Sequence, residues 1–529
     1  MSKKISRLVI VGGGTAGWLS AGVIAAEHAI SQNANQEHGD QQDNQFQLTL
    51  IESPDIKTIG VGEGTWPSMR TTLNKMGLSE TDFIRECTAS FKQGTEFSGW
   101  TTGENDNYTH PFTAPQGYNE TNLAPHWQEL QGRPRFDQAV SHQSVLFPDS
   151  RAPKQISTPE YAGTVNYGYH LDAAKFAEFL RKHCVDKLGV KHIKANVTAV
   201  NSAENGDIAS VTTDSSGAIE GDLFIDCSGS RALLLGEHYK IPLRSKKQYL
   251  FNDTALAVQV PYSNPDDPIA SCTLSTAQSA GWIWDIGLPS RRGTGHVYSS
   301  AHNSQENATA ELLRYIERTA GSQAAADAEP RKINFDPGHR TEFWHKNCVA
   351  IGMSAGFIEP LEASALILVE LSSNMIAEQL PANREMMDIV AKRFNDKFLY
   401  RWDRIIDFLK LHYILNRRQD QYWRDHLDPS SIPDSLQELI ALWKYQGPWH
   451  RDTNHTDEMF PSASFQYVLY GMNFETNPST TIRRSDRLGR EAAVNLFQKN
   501  AKQRRELEMA MPTNRQLIEK INTYGLQKI

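Results

Sequence analysis

The sequence predicts an α/β architecture that opens as a βαβ unit, continues through further strands and ends in a helical module. Three observations predict it. The apolar run "RLVIV" leads into a glycine cluster and the Ala-rich "TAGWLSAGVIAAEH", and a second strand pattern follows at "FQLTLIE". Short β-type runs recur mid-chain at "LAVQVPY", "GWIWDIGL" and "GTGHVYSS". Beyond residue 365 helical spacing dominates, notably in "REMMDIVAKRFNDKFLYRWDRIIDFLKLHYILNRR" and "RLGREAAVNLFQKNAKQRRELEMAM". The expected division is a body over 1–365 with an interleaved second sheet, and a mainly helical module over 366–529.

In the opening unit Gly12, Gly14 and Gly17 fit G-x-G-x-x-G. The first glycine permits a tight turn, the second a close approach of phosphate, and the third close packing of helix on strand. Thr15 and Ala16 begin the helix, whose free amides suit a pyrophosphate. Glu52 ends the second strand, where an acid bonds ribose hydroxyls. The polar stretch from Ser31 to Gln45 explains the long spacing to that acid as a solvated insertion. Strand, turn, helix, strand and acid together predict a Rossmann-type dinucleotide site. Further on, "YGYHLDAAKFAEFLRKHC" has helical spacing, and strands and turns follow it. The loop "GDLFIDCSGSR" places Asp226 and Gly229 after an apolar strand, as a second loop returning to the dinucleotide or as a simple structural turn.

Composition narrows the partners. The 529 residues carry 54 Lys and Arg against 62 Asp and Glu, a formal charge of -8, with no long basic run of the kind that binds nucleic acid. A small-molecule partner is expected. Five scattered cysteines without a CxxC pair fit reduced thiols and a cytoplasmic location. The N-terminus has basic residues before an apolar run, but its glycines break the continuous segment a secretory signal needs. No stretch has the ~18 uninterrupted apolar residues of a membrane span. The oligomeric state stays open, a homodimer included.

The stretch "SAGFIEPLEASA" holds two acids, Glu359 and Glu362, around Pro-Leu in an otherwise apolar run. Taken alone it reads as capping, since Pro fits a first helical turn and acids suit a helix N-terminus.

Four signals combine: "GGGTAGW", "IGVGEGTWPS" with the later "SFKQGTEFSGW", "GWIWDIGLPSR", and "KNCVAIGMSAGFIEPLEASA". Together they resemble the flavin-dependent halogenases, in their tryptophan-halogenase-like branch, from residue 7 to roughly residue 475. The resemblance implies a monooxygenase-like body holding FAD, reduced flavin supplied by a separate flavin reductase, and a helical module beside an aromatic-substrate site. It further implies that reduced FAD, oxygen and halide yield hypohalous acid, which travels inside the protein to a lysine. Lys92 matches that lysine and Glu362 the family's second essential acid. An ammonium would polarise hypohalous acid and a neutral amine would form a haloamine; the sequence does not choose. The resemblance places the backbone amides of Ser364 and Ala365 at the halide, and Trp282 and Trp284 as a bulky screen between flavin and substrate. His110 and Phe112 match its H-x-F beside the aromatic pocket, and Trp100 is expected to pack near Lys92.

Some positions depart from the pattern. Ala363, Ser364 and Ala365 stand for the usual serine, threonine and glycine, so Ala365 would be strained if that glycine adopts positive φ. Gly287 stands for a proline, a change expected to loosen its loop. The function expected is halogenation of an electron-rich aromatic such as tryptophan or indole. A flavin monooxygenase, or a noncatalytic FAD-binding protein with a drifted halide pocket, remain the alternatives.

Overall fold

The chain folds in a computed structural model that describes residues 4–37, 46–56, 62–450, 452, 458–477 and 484–528. It divides into two compact units that alternate along the sequence. The first comprises 1–89, 171–246 and 336–402, and the second 90–170, 247–335 and 403–529. Residue 365 falls within the last segment of the first unit.

The first unit is built on a six-stranded sheet in the order Trp344–His345, Cys348–Ala350, Leu223–Asp226, Arg7–Val11, Gln47–Glu52, Lys191–Lys194. All pairings are parallel except that of the short Trp344–His345 edge. The central strand Arg7–Val11 reads as a continuous apolar run because both its faces are covered. Helices Thr15–Glu37, Ala173–Asp186 and Ser364–Glu378 pack together on this body. A parallel sheet with helical crossovers is the Rossmann-like α/β arrangement that the opening motif predicts.

Two local expectations change. The Thr15–Glu37 helix continues into the polar stretch expected as an insertion from Ser31, and residues 38–45 lie outside the described residues. In "YGYHLDAAKF" the first part is a strand, Gly168–Asp172, and the helix starts at Ala173, where the Asp172 side chain accepts from Ala174 and Lys175 N–H. Asp at an N-cap satisfies amides the helix leaves orphaned, so it ends the strand and starts the helix.

The second unit carries a seven-stranded sheet in the order Arg331–Asn334, Thr254–Pro261, Arg291–Tyr298, Gly281–Gly287, Thr273–Gln278, Gly94–Ser98, Asn107–Pro111. The three mid-chain β-type runs are its adjacent central strands. Helix Gln305–Ala320 buries Leu312, Tyr315 and Ile316 against Leu256, Val258 and Ile283 of this sheet. The unit's last segment, 403–529, is mainly helical, including Ser462–Gly471, Arg484–Ala510 and Asn514–Tyr524. No helix among the described residues is long and apolar enough to cross a membrane. All five cysteines are free and buried.

Candidate active site

In the first unit the glycine turn meets its physical demands at each position. Gly12 sits at φ 122, and a Cβ there would come within 2.1 Å of the Cys227 carbonyl oxygen. A Cβ on Gly17 would fall 1.9 Å from the Gly12 oxygen, so the helix packs directly on the turn. A Cβ on Gly14, by contrast, meets no protein atom within 4 Å. Gly13, outside the fingerprint, is also required, because its Cβ would lie 2.3 Å from Glu52 Cγ. Thr15 is buried and its hydroxyl reaches the Ala173 carbonyl at 3.4 Å, while Ala16 packs under Gly352. Gly12, Gly13, Gly14, Glu52, Gly229 and Arg231 line one cleft of about 370 Å³. Glu52 Oε2 stands 2.8 Å from His192 Nε2, and burial holds that imidazole below its usual pKa. These residues fit a dinucleotide: the turn's backbone is open at Gly14, a helix N-terminus of the kind that suits phosphate follows it, and Glu52 supplies a carboxylate of the kind that bonds ribose hydroxyls.

Asp226 has a different place. It is fully buried, and its carboxylate accepts from Ser228 N–H and hydroxyl and from the N–H groups of Leu234 and Leu235. It turns inward and shapes the loop that brings Gly229, at φ 76, to the cleft. Asp226 itself is not among the cleft residues.

The acid-bearing stretch lies at the start of helix Ser364–Glu378. Neither acid caps it: its N-cap is Ala363, with no side-chain bond, and the preceding turn Leu361–Ala363 has none either. Glu362 has φ 63, ψ 10 and Ala363 φ 55, ψ 46, so two successive non-glycine residues are left-handed. Ala365 is an ordinary helical residue, so the condition for strain there is not met, and positive φ occurs at Glu362 and Ala363. Glu362 is 5% exposed and Ser364 2%. The first amides of a helix lack intrahelical acceptors and carry the positive end of its dipole, a donor set that suits a halide.

Two features here escaped sequence reading. The Trp66 indole N–H donates to the Glu362 carbonyl at 2.8 Å. Ser68 and Thr72 hydroxyls donate to Glu370, at 3.3 and 2.6 Å, and burial lifts that carboxyl to about 8. Only an acid in an otherwise apolar helix pattern, "ALILVEL", marks it in the sequence. Within "IGVGEGTWPS" Ile59, Gly60 and Val61 lie outside the described residues.

In the second unit Lys92 ends the strand Ser90–Lys92 at 1% exposure, with Nζ 5.4 Å from the centroid of Phe112. The Phe112 N–H donates to the Gln93 carbonyl, which locks the two segments together. Ser90 donates to the Gly287 carbonyl at 2.5 Å, and Gly287 is the last residue of the Gly281–Gly287 strand, paired with Arg292. The loosening expected at Gly287 is therefore absent; a Cβ there would approach Ala270 N at 2.9 Å. From the C-terminal helix, Asn514 donates to the Phe91 carbonyl at 3.0 Å, a second hold on the lysine strand. His170, on the partner strand opposite Ser90, is buried and held well below its usual pKa by burial and by the charge of Lys92.

His110 is buried on strand Asn107–Pro111, with Nε2 2.9 Å from Ser464 Oγ and its ring beside Phe408 and Tyr467. Trp282 and Trp284 stand two apart on one strand, 6.4 Å between ring centroids, and Trp284 fills the space over Gly295. Trp100 packs against Trp282, Phe97, Tyr413 and Trp423 and donates to the Ser275 carbonyl. Its ring neighbours are thus an aromatic cluster, while the ring beside Lys92 is Phe112. The structure joins Lys92 with Phe112 and Trp100 with Trp282, each pair within the second unit.

Comparison with known proteins agrees. The tryptophan halogenase family profile matches residues 7–486. Tryptophan 7-halogenase RebH of Lentzea aerocolonigenes is 31% identical over 462 residues, covering 84% of this chain and 83% of that protein. The crystal structure of a tryptophan halogenase from Shewanella frigidimarina superposes with a TM-score of 0.93 at 49% identity, covering 100% of this chain and 99% of that one. BrvH, a flavin-dependent halogenase from Brevundimonas, gives 0.82 at 31% identity, covering 98% and 99%. This chain therefore belongs to the tryptophan halogenase family and is a flavin-dependent halogenase, an oxidoreductase.

Proposed function

We propose that the protein halogenates an electron-rich aromatic, tryptophan, indole or a relative, with reduced FAD delivered by a separate flavin reductase. When bound, reduced FAD would donate two electrons to oxygen, the oxidant, so that one oxygen atom leaves as water and the other is passed to halide as hypohalous acid. The chain's residues do the rest. Gly12, Gly14, Thr15, Ala16 and Gly17 take the pyrophosphate at the helix start, Glu52 takes a ribose hydroxyl, and the loop shaped by Asp226 offers Gly229. The amides of Ser364 and Ala365 hold halide without adding a nucleophile. The helices of 366–529 serve the substrate side.

Lys92 receives the hypohalous acid, by a hydrogen bond from its ammonium or by halogen uptake on its free amine. Phe112 offers a ring face to the flat substrate, and His110, two residues earlier, belongs to the same aromatic-pocket motif. Trp100, Trp282 and Trp284 keep the organic substrate from the flavin. The ring carbon takes the halogen and loses its proton to Glu362, and the hydroxyl departs in water, so arene and hypohalous acid become haloarene and water. The observation that carries this reading is Lys92 at 1% exposure beside an aromatic ring, since a lysine is seldom withdrawn from water without a task for its amine. The test is an indole and phenol panel with reduced FAD, oxygen and bromide. A product with the bromine isotope doublet is expected; an oxygenated product without bromine, or no product from any arene, overturns the proposal.

A further inference from the structure

The turn that carries Glu362 is held in an unfavourable shape. Left-handed backbone is disfavoured at a residue with a Cβ, and Glu362 and Ala363 adopt it in succession. Such strain persists only where the surroundings impose it. Among the hydrogen bonds that bear on this turn, the Ala363 N–H donates to the Pro360 carbonyl at 3.0 Å, and Trp66 Nε1 donates to the Glu362 carbonyl at 2.8 Å.

Trp66 is itself well fixed. It precedes Pro67, the N-cap of helix Ser68–Lys75, and that helix is pinned through Ser68 and Thr72 to Glu370. Glu370 belongs to helix Ser364–Glu378, the one the strained turn opens. The contacts close a ring: Glu362 leads into its helix, Glu370 on that helix grips Thr72 and Ser68, and Trp66 just before them grips Glu362. Fixing a carbonyl fixes the peptide plane, and with it the direction in which the Glu362 side chain leaves the backbone.

We propose that Trp66 is a positioning residue for Glu362, its indole N–H holding the left-handed turn so that the carboxylate is presented to the reacting ring. This rests on Glu362 being the acid of the reaction. Loss of the donor leaves the acid present but misdirected, so the halogenation step slows while flavin binding and arene binding stay intact.

The test compares wild type, Trp66→Phe, Trp66→His, Glu362→Gln and the Trp66→Phe/Glu362→Gln double variant as full chains with FAD, bromide and a soluble 1,3-diketone that captures escaped hypobromous acid. Assays run at pH 7.5, where imidazole is mostly neutral and its Nε2–H occupies the place of the indole N–H on the five-membered ring. Trp66→Phe is expected to lower kcat by about 5–10-fold, the scale of one net hydrogen bond. KM for the arene, FAD affinity and Tm should change little, and diketone bromination should rise. Trp66→His should recover most of kcat, and the double variant should be no slower than Glu362→Gln. Wild-type kcat in Trp66→Phe, no recovery with His, or a double variant slowed by the product of the single effects overturns the proposal. Parallel loss of FAD affinity and kcat in both Trp66 variants also overturns it, as a structural role. If Trp66→Phe folds poorly, adding Ala363→Gly relieves strain while leaving the donor absent, and the same comparison holds. Full activity in Glu362→Gln defeats the acid assignment and the positioning role with it; a slow Glu362→Gln beside a fast Trp66→Phe defeats the positioning role alone.

Discussion

Lys92 Nζ lies 5.4 Å from the centre of the Phe112 ring, on a strand with no more than 1% of the lysine exposed. The strand is tied by Ser90 to Gly287 and by Asn514 to Phe91. Amine and ring are therefore held in a fixed relation before any substrate arrives.

Replacing Lys92 by Ala is expected to abolish halogenated product while reduced FAD is still consumed by oxygen at the wild-type rate. Product analysis beside absorbance of the flavin checks this. Full product formation would remove Lys92 from the mechanism.

Gly14 and Gly17 should respond in opposite ways. A methyl on Gly14 meets no protein atom within 4 Å, so Gly14→Ala should fold normally and bind FAD about tenfold more weakly, a loss of about 1.4 kcal/mol. A methyl on Gly17 would sit 1.9 Å from the Gly12 oxygen, so Gly17→Ala should lower stability by about 1–3 kcal/mol or more. Flavin titration and thermal melts separate the two, and unchanged FAD affinity in Gly14→Ala would count against close phosphate approach.

Ala363 is a left-handed residue that the family pattern fills with serine and this chain with alanine. Ala363→Gly removes the clash of its Cβ and should stabilise the chain by about 1 kcal/mol, less what glycine costs in the unfolded state. A fall in Tm would mean that Ala363 is held by contacts worth more than its strain.

Glu370 gives stability a pH dependence of known sign. Its folded pKa, about 8, is raised from 4.5 by burial. The unfolded carboxyl ionises first, so this contribution is whole below pH 4.5 and is lost as pH rises through about 8. Each unit of the raised pKa is worth about 1.4 kcal/mol. Glu370→Gln keeps an acceptor for Thr72 and cannot ionise. Its Tm should fall less than wild type between pH 5 and pH 9, and parallel curves would show that Glu370 is not the group responsible.

Much of this site was legible in advance because its demands are local. A turn that approaches its neighbours within a Cβ radius admits only glycine, so Gly12 and Gly17 announce the nucleotide end by type and spacing. The strands around Trp282 and the helical character beyond residue 365 followed from periodicity, which reports the face a segment buries. The loosening expected at Gly287 is absent and the condition for strain at Ala365 is not met, because a substitution against a family pattern does not reveal backbone angles. Gly287 proved to be a paired strand residue and Ala365 a helical one.

The sequence by itself determined the βαβ opening and the glycine turn, since each depends on neighbours a few residues away, whereas Lys92 and Glu362 were singled out only by resemblance to a family. Only the tertiary structure decided how those groups are held. Trp66 and Glu362 are 296 positions apart, Thr72 and Glu370 are 298, and Phe91 and Asn514 are 423. A hydrogen bond across such a span leaves no local pattern, because it forms only after distant segments have packed and fixed donor and acceptor in each other's reach.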